Sequence, residues 1–401
     1  MKFGLIKERK SPPDRRVVFS PETAGSFLEA FPQAELLVEA SDLRVFGDEQ
    51  YEAKGLEVTS DVSDCDVLLG VKEVPVEALI ANKTYFFFSH TIKKQPYNRD
   101  LLRAVLDKNI VLYDHETLVA ADGGRLVGFG RYAGIVGAYN GFRALGVRTG
   151  RFSLPKAESL SSRNDLIAEL SKIELPVMKI VLTGRGKVAY GAKEMLDAMQ
   201  IKEVDVEAFL GRDFSEPVYV MLDVLDYNRR KDGAMFGIED FFEYPEAYES
   251  DFERFSRVAD FFIAGHFYGS GSPVILSREM LLASENRIRV VADISCDIDG
   301  PVACTIRPST IESPFYGYCP ERHAETALDD PESITVMAVD NLPCELPKDA
   351  SEGFGELFLE KVVPAFFNGD KDGILQRAKV TQHGRLTPSF AYLQDYVDGK
   401  A

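Results

Sequence analysis

The sequence predicts an α/β fold of two Rossmann-like domains with mostly parallel sheets. Three observations predict it. Over the first 115 residues short apolar runs alternate with amphipathic stretches. A glycine turn at 184–189 follows an apolar strand and opens a helix, and strand-like runs recur after it as far as ITVMAVD.

Taken in order, KFGLI, ELLVE, LEVTS, DVLLG, YFFFS and NIVLY read as strands, with PETAGSFLEAF, GDEQYEAKG and NRDLLRAVLDKN in helical spacing between them. Ser20 directly before Pro21 is the order of an N-cap followed by proline at the first helical position. Strands joined through helices must cross over, so the sheet is parallel and covered on both faces. FGRYAGIVGAYNGFRALG, rich in glycine and alanine, predicts a closely packed helix leading into a second domain. SSRNDLIAELSKI reads as a further helix, and KIVLTGRGKVAYGAKEMLDAM as strand, turn and helix. KEVDVEAF, ADFFIAG, RIRVVADIS and ITVMAVD read as strands, whereas the acidic, aromatic segment 222–259 resolves into no regular pattern. The helical tail SEGFGELFLEKVVPAFF is expected to return to the first domain. The expected domains are therefore 1–128 with 340–401, and 129–339.

Composition narrows the partners. Sixty-four acidic against 46 basic residues give a net charge of −18, which argues against nucleic acid. An anionic small-molecule substrate would need local cations against that field. Cys65, Cys296, Cys304, Cys319 and Cys344 are scattered, without zinc-like spacing, so no metal is expected and the thiols read as reduced in a cytoplasmic protein. No apolar run is long enough for a signal peptide or a membrane span.

GRGKVA has the form G-x-G-x-x-A in the right context. Gly184 would permit the tight turn, Gly186 the approach of a pyrophosphate, and Ala189 the contact of helix and strand. Asp205, about 20 residues on, suits a ribose-binding carboxylate at the end of the second strand, which favours NAD. Arg185 and Lys187 keep NADP possible. In an open parallel sheet ligands bind beyond the carboxyl ends of the strands. Lys72 follows DVLLG and His90 follows YFFFS, so an amine and an imidazole stand at corresponding ends of consecutive strands. Alone, His90 reads as a core histidine and Lys72 as a solvated loop residue; together they form an acid/base couple.

GVKEVP, FFSHTIK, LYDHE, FGRYAG, VADISCDIDG and VDNLPCELPKDASE, in that order, resemble the lysine-forming saccharopine dehydrogenases. They resemble equally the lysine–2-oxoglutarate reductase half of the bifunctional lysine-degrading enzyme of animals and plants. The resemblance runs from about residue 5 to about residue 390. Only the Lys…His pair is shared with the wider alanine dehydrogenase and transhydrogenase relatives. It implies an active-site cleft between two domains and the reversible conversion of saccharopine, NAD(P) and water to lysine, 2-oxoglutarate and reduced nicotinamide. It implies Lys72 and His90 as the acid/base pair, tuned by Glu73. It also implies substrate-binding roles for Arg16, Lys93 and Glu116, the cations for substrate carboxylates and Glu116 for the lysine amine. Asp340 matches a position near the nicotinamide, with helix capping as its alternative. A stand-alone enzyme is expected, since no second dehydrogenase follows. The region EYPEAYESDFERFSRVADFFIAGHFYGSGSPVILSREM looks more like the reductase half, and the fungal glycine loop is more widely spaced than GRGKVA. His266 and Tyr268 in that region suit the cofactor side or the core. Two competing functions are a dehydrogenase for another amino acid or opine, and a dinucleotide-binding protein that has lost its chemistry.

Overall fold

In the computed structural model, which describes every residue except Pro12, Phe236 and Ala401, the chain divides into two units, Met1–Phe129 with Pro347–Ala401, and Gly130–Leu346. The first unit holds strands β1 (Lys2–Leu5), β2 (Glu35–Glu39), β3 (Glu57–Thr59), β4 (Val67–Leu69), β5 (Thr84–Phe87) and β6 (Val111–Asp114). They form one sheet in the order β3-β2-β1-β4-β5-β6, parallel throughout. The chain leaves β1 toward β2 and later returns to its other side with β4. The β1/β4 gap is thus the switch point of this sheet.

Alternation along β5 decides what each face meets. Phe86 packs with Phe3, Phe27, Phe354 and Phe358 on one face. Tyr85 and Phe87 pack with Leu102, Phe390, Leu393 and Tyr396 on the other. The helix Pro21–Ala30 begins as its sequence demands, with the Ser20 hydroxyl accepting from the Thr23 N–H at 3.2 Å and proline in the first turn.

The second unit opens with the helix Gly130–Thr149, which is buried on nearly every side. It lies against the helix Lys187–Ala198 through glycines on both. A Cβ on Gly134 would stand 1.9 Å from the Val188 carbonyl oxygen, and one on Gly191 2.0 Å from that of Arg131. Backbone therefore touches backbone, which explains the glycine-rich sequence. The strands here are β7 (Lys179–Thr183), β8 (Lys202–Glu203), β9 (Val218–Leu222), β10 (Asn228–Arg230), β11 (Tyr248–Ser250), β12 (Phe261–Ala264), β13 (Val290–Asp293), β14 (Phe315–Cys319), β15 (Ala324–Thr326) and β16 (Ile334–Met337). The main sheet runs β15-β14-β16-β13-β12-β7-β9-β8, parallel except for the β14 and β15 edge.

Two expectations need correction. KEVDVEAF is not one strand: only Lys202–Glu203 is extended, and Asp205 caps a helix over Val206–Gly211. The strand beside β7 is instead β9, from VYVML. The segment 222–259 carries the antiparallel β10/β11 hairpin and short helices. Among the described residues, no helix is long and apolar enough to cross a membrane.

Candidate active site

The carboxyl edge of the first sheet gathers ionisable groups from β1, β4, β5 and β6. Lys72 and Glu73 follow β4, and His90 follows β5, with Leu69 and Phe86 in register. The turn after β5 is pinned from β6. The Ser89 N–H donates to the buried Asp114 carboxylate at 2.9 Å, and the Ser89 hydroxyl donates to the same oxygen. His90 itself adopts the left-handed conformation, φ 53°, a strained state for a non-glycine residue that needs such support.

Glu73 sits between two nitrogen partners. Its Oε1 meets His90 Nδ1 at 2.8 Å and its Oε2 accepts from Lys10 Nζ at 2.7 Å. Burial alone would push this carboxyl up, but the hydrogen bonds from His90 and Lys10 outweigh it and hold it at about 2. An ionised carboxylate can only accept, so His90 Nδ1 carries the proton and Nε2 is left as the basic atom. The arrangement is a carboxylate–imidazole couple with its tautomer set by Glu73.

Glu116 lies beyond β6 with its side chain nearly buried. Lys93 Nζ and an Arg125 nitrogen each stand 3.4 Å from its Oε1, whereas Oε2 is buried without a hydrogen-bond partner among the described residues. A ligand cation fits that orphaned oxygen. The Arg16 Nε and one Nη donate to the two oxygens of Asp14 at 3.0 and 2.6 Å, and its guanidinium lies 4.1 Å over the Phe129 ring. Asp14 thus holds the Nε edge of this guanidinium.

The core-histidine role belongs to His115, not His90. Its Nε2 donates to the Gly70 carbonyl at 2.9 Å among Phe88, Phe354 and Phe358, and burial lowers it to about 4.

The second unit carries the glycine turn. Gly184 has φ +104°, and a Cβ there would meet the Gly265 carbonyl oxygen at 2.7 Å. Gly186 caps the helix Lys187–Ala198 with open space where a Cβ would stand, so the first N–H groups of that helix are approachable. Ala189 is fully buried, and a Cβ on Gly265 would lie 3.1 Å from its Cα. Each small residue thus has the steric reason its motif requires. This cradle fits the pyrophosphate of a dinucleotide.

Asp205 does not stand at this turn. It follows the edge strand β8, with β9 between it and β7, and its carboxylate accepts from the Ala208 N–H at 2.8 Å as a helix cap. The acidic residue directly after β9, the strand beside β7, is Asp223. The Gly184 N–H donates to the carbonyl of its neighbour Leu222 at 2.9 Å. The signal for it was the run VYVML, apolar, aromatic and β-branched, closing on an aspartate. Asp340 is exposed beyond β16, and the cap of the next turn is Asn341. His266 is buried beside Gly184 with Nδ1 2.7 Å from the Thr183 hydroxyl, and burial lowers it to about 3. The Tyr268 hydroxyl donates to the Ser272 carbonyl.

The model of the alanine dehydrogenase/PNT N-terminal domain matches residues 4–136. Alpha-aminoadipic semialdehyde synthase of Arabidopsis thaliana is 26% identical over 97% of this chain and 41% of its own length. The mitochondrial synthase of Rattus norvegicus is 28% identical over 90% of this chain and 44% of its own. The chain spans less than half the length of these relatives. The lysine-forming, NAD(+) saccharopine dehydrogenase of Yarrowia lipolytica is 25% identical over 90% of this chain and 92% of its own. In fold, an L-alanine dehydrogenase superposes with a TM-score of 0.65 at 17% identity, each chain covered fully. The transhydrogenase of Sinorhizobium meliloti gives 0.59 at 15% identity, covering 97% of this chain and 100% of its own. The chain is thus similar to the alpha-aminoadipic semialdehyde synthases and the lysine-forming saccharopine dehydrogenases, and over residues 4–136 to the alanine dehydrogenase/PNT N-terminal domain.

Proposed function

We propose that this chain is a nicotinamide-dependent oxidoreductase of lysine metabolism, acting on a CH–NH donor and interconverting saccharopine with lysine and 2-oxoglutarate. The observation that carries the proposal is the Glu73 carboxylate held between Lys10 and His90, which leaves His90 Nε2 to move protons. The names of the relatives supply the substrate class.

When bound, a nicotinamide supplies the hydride acceptor; the turn Gly184–Gly186, with Ala189 beneath it, would hold its pyrophosphate. Lys72 and His90 serve as the acid/base pair. One takes the proton of the secondary amine as the imine forms. The pair then activates water at the imine carbon and protonates the departing lysine amine. Glu116 Oε2 receives the cationic lysine moiety, and Lys93 lies near the substrate carboxylates. Asp223 accepts from the adenosine ribose hydroxyls, which favours NAD over NADP.

A substrate panel tests the assignment. Lysine with 2-oxoglutarate is expected to drive NADH oxidation, and ammonia with pyruvate is not. Activity confined to the second mixture would replace the proposal with an alanine dehydrogenase-like function. Cofactor choice has its own test: Asp223→Ala should weaken NADH at least about tenfold while changing NADPH little. Equal losses for both would remove Asp223 from the ribose site.

A further inference from the structure

We infer that Glu8 is a positioning residue for Lys72, clamping across the β1/β4 switch point the backbone from which the catalytic amine projects. This role rests on the saccharopine chemistry proposed above. Glu8 follows β1 and is buried. Its Oε1 accepts from the Val71 N–H at 2.7 Å and its Oε2 from the Lys72 N–H at 2.9 Å. Two strands that are neighbours in the sheet are thereby joined again beyond their ends. The clamp is itself anchored, because the Lys7 N–H donates to Glu39 Oε2 at 3.0 Å and Arg9 pairs with the same carboxylate. There is little slack opposite it: a Cβ on Gly70 would come within 2.9 Å of Ile6 Cδ1. The next residue of the clamped turn, Glu73, carries Lys10 and His90. One carboxylate of β1 thus sets the origin of both halves of the acid/base couple.

Both oxygens of Glu8 receive an N–H, and only the ionised form offers two acceptors. A neutral acid turns a hydroxyl toward one of the two N–H groups, and so does the amide nitrogen of glutamine. Burial raises this carboxyl to about 8; the N–H groups of Val71 and Lys72 oppose that, Asp14 adds to it and Arg16 reduces it. The remaining charged neighbours are the Lys10–Glu73 pair on the clamped turn and the Arg9–Glu39 pair beneath it. The folded carboxyl therefore holds its proton above the ordinary carboxylate range. The two-bond clamp is complete above about pH 8 and is lost as the pH falls through that value.

The test compares kcat of the full chain with that of Glu8→Gln in the lysine plus 2-oxoglutarate assay. The wild type should exceed the variant about tenfold at pH 9 and less than about twofold at pH 6.5, with NADH affinity unchanged. A role in folding alone gives a ratio that does not vary with pH. Amide hydrogen exchange supplies a readout independent of turnover. Peptides spanning 70–73 should exchange faster in Glu8→Gln, and the wild type, corrected for intrinsic rates, should lose protection there between pH 9 and pH 6.5. A flat ratio, or exchange that is unaltered, overturns the inference. Exchange that responds in a wild type without activity in this assay means that the saccharopine chemistry has failed while the clamp is real, and the positioning role falls with that chemistry.

Discussion

Replacing His90 is expected to lower kcat by about two orders of magnitude or more while leaving NADH binding intact. The imidazole stands in the first unit, whereas the glycine turn stands in the second. Asparagine is the better replacement for this measurement. His90 has φ 53°, a region that asparagine enters more readily than alanine, so His90→Asn removes the base without adding backbone strain. Nothing in the variant restores a group able to take a proton at Nε2. Nor does Glu73 substitute, because Lys10 still holds that carboxylate. Stopped-flow NADH binding with steady-state turnover decides the matter. Turnover of His90→Asn equal to the wild type would take His90 out of the mechanism.

Gly134→Ala is expected to destabilise the second unit by about 3 kcal/mol or more, the upper end for overpacking. The added methyl would lie 1.9 Å from the Val188 carbonyl oxygen and 2.7 Å from the Ala192 nitrogen. Both are backbone atoms of the facing helix, so no rotamer change relieves the contact. The helices must part, and Val188 and Ala189 move with them. The same substitution therefore loosens the cradle around Gly186 and should weaken NADH. Gly25→Ala is the control. Gly25 is also helical, and its Cβ would meet nothing within 4 Å. That change should be neutral or stabilising by up to about 1 kcal/mol. Thermal unfolding followed by calorimetry separates the two, and a Gly134→Ala melting curve matching the wild type would show that the helices do not touch backbone to backbone.

The first sheet was legible because its strands are short apolar runs alternating with amphipathic helices, and the runs DVLLG and YFFFS are followed closely by an ionisable residue. Lys72 and His90 could be placed at strand ends from that pattern alone. The second sheet was less so. KEVDVEAF begins with strand-like alternation, but the aspartate at 205 is a helix cap, and local hydrogen bonding to Ala208 outweighed β propensity. VYVML is the neighbour of β7, so the acidic residue that follows the adjacent strand is Asp223 and not Asp205. Lys10 and Glu8 had no local signal whatever. Their partners at 71–73 are distant in sequence, and only the closing of β1 against β4 brings them within hydrogen-bonding range. The Arg16–Asp14 pair, by contrast, is local, its partners lying only two residues apart.

The last stretch of chain lies on both faces of the first sheet, Phe354 and Phe358 on one and Phe390, Leu393 and Tyr396 on the other. On the ribosome those six strands therefore emerge long before the side chains that cover them. The contiguous middle of the polypeptide meets no such delay and can close while synthesis continues. The half bearing Lys72 and His90 thus closes only once residues 347–396 have been made, and until then its aromatic strands lack that cover.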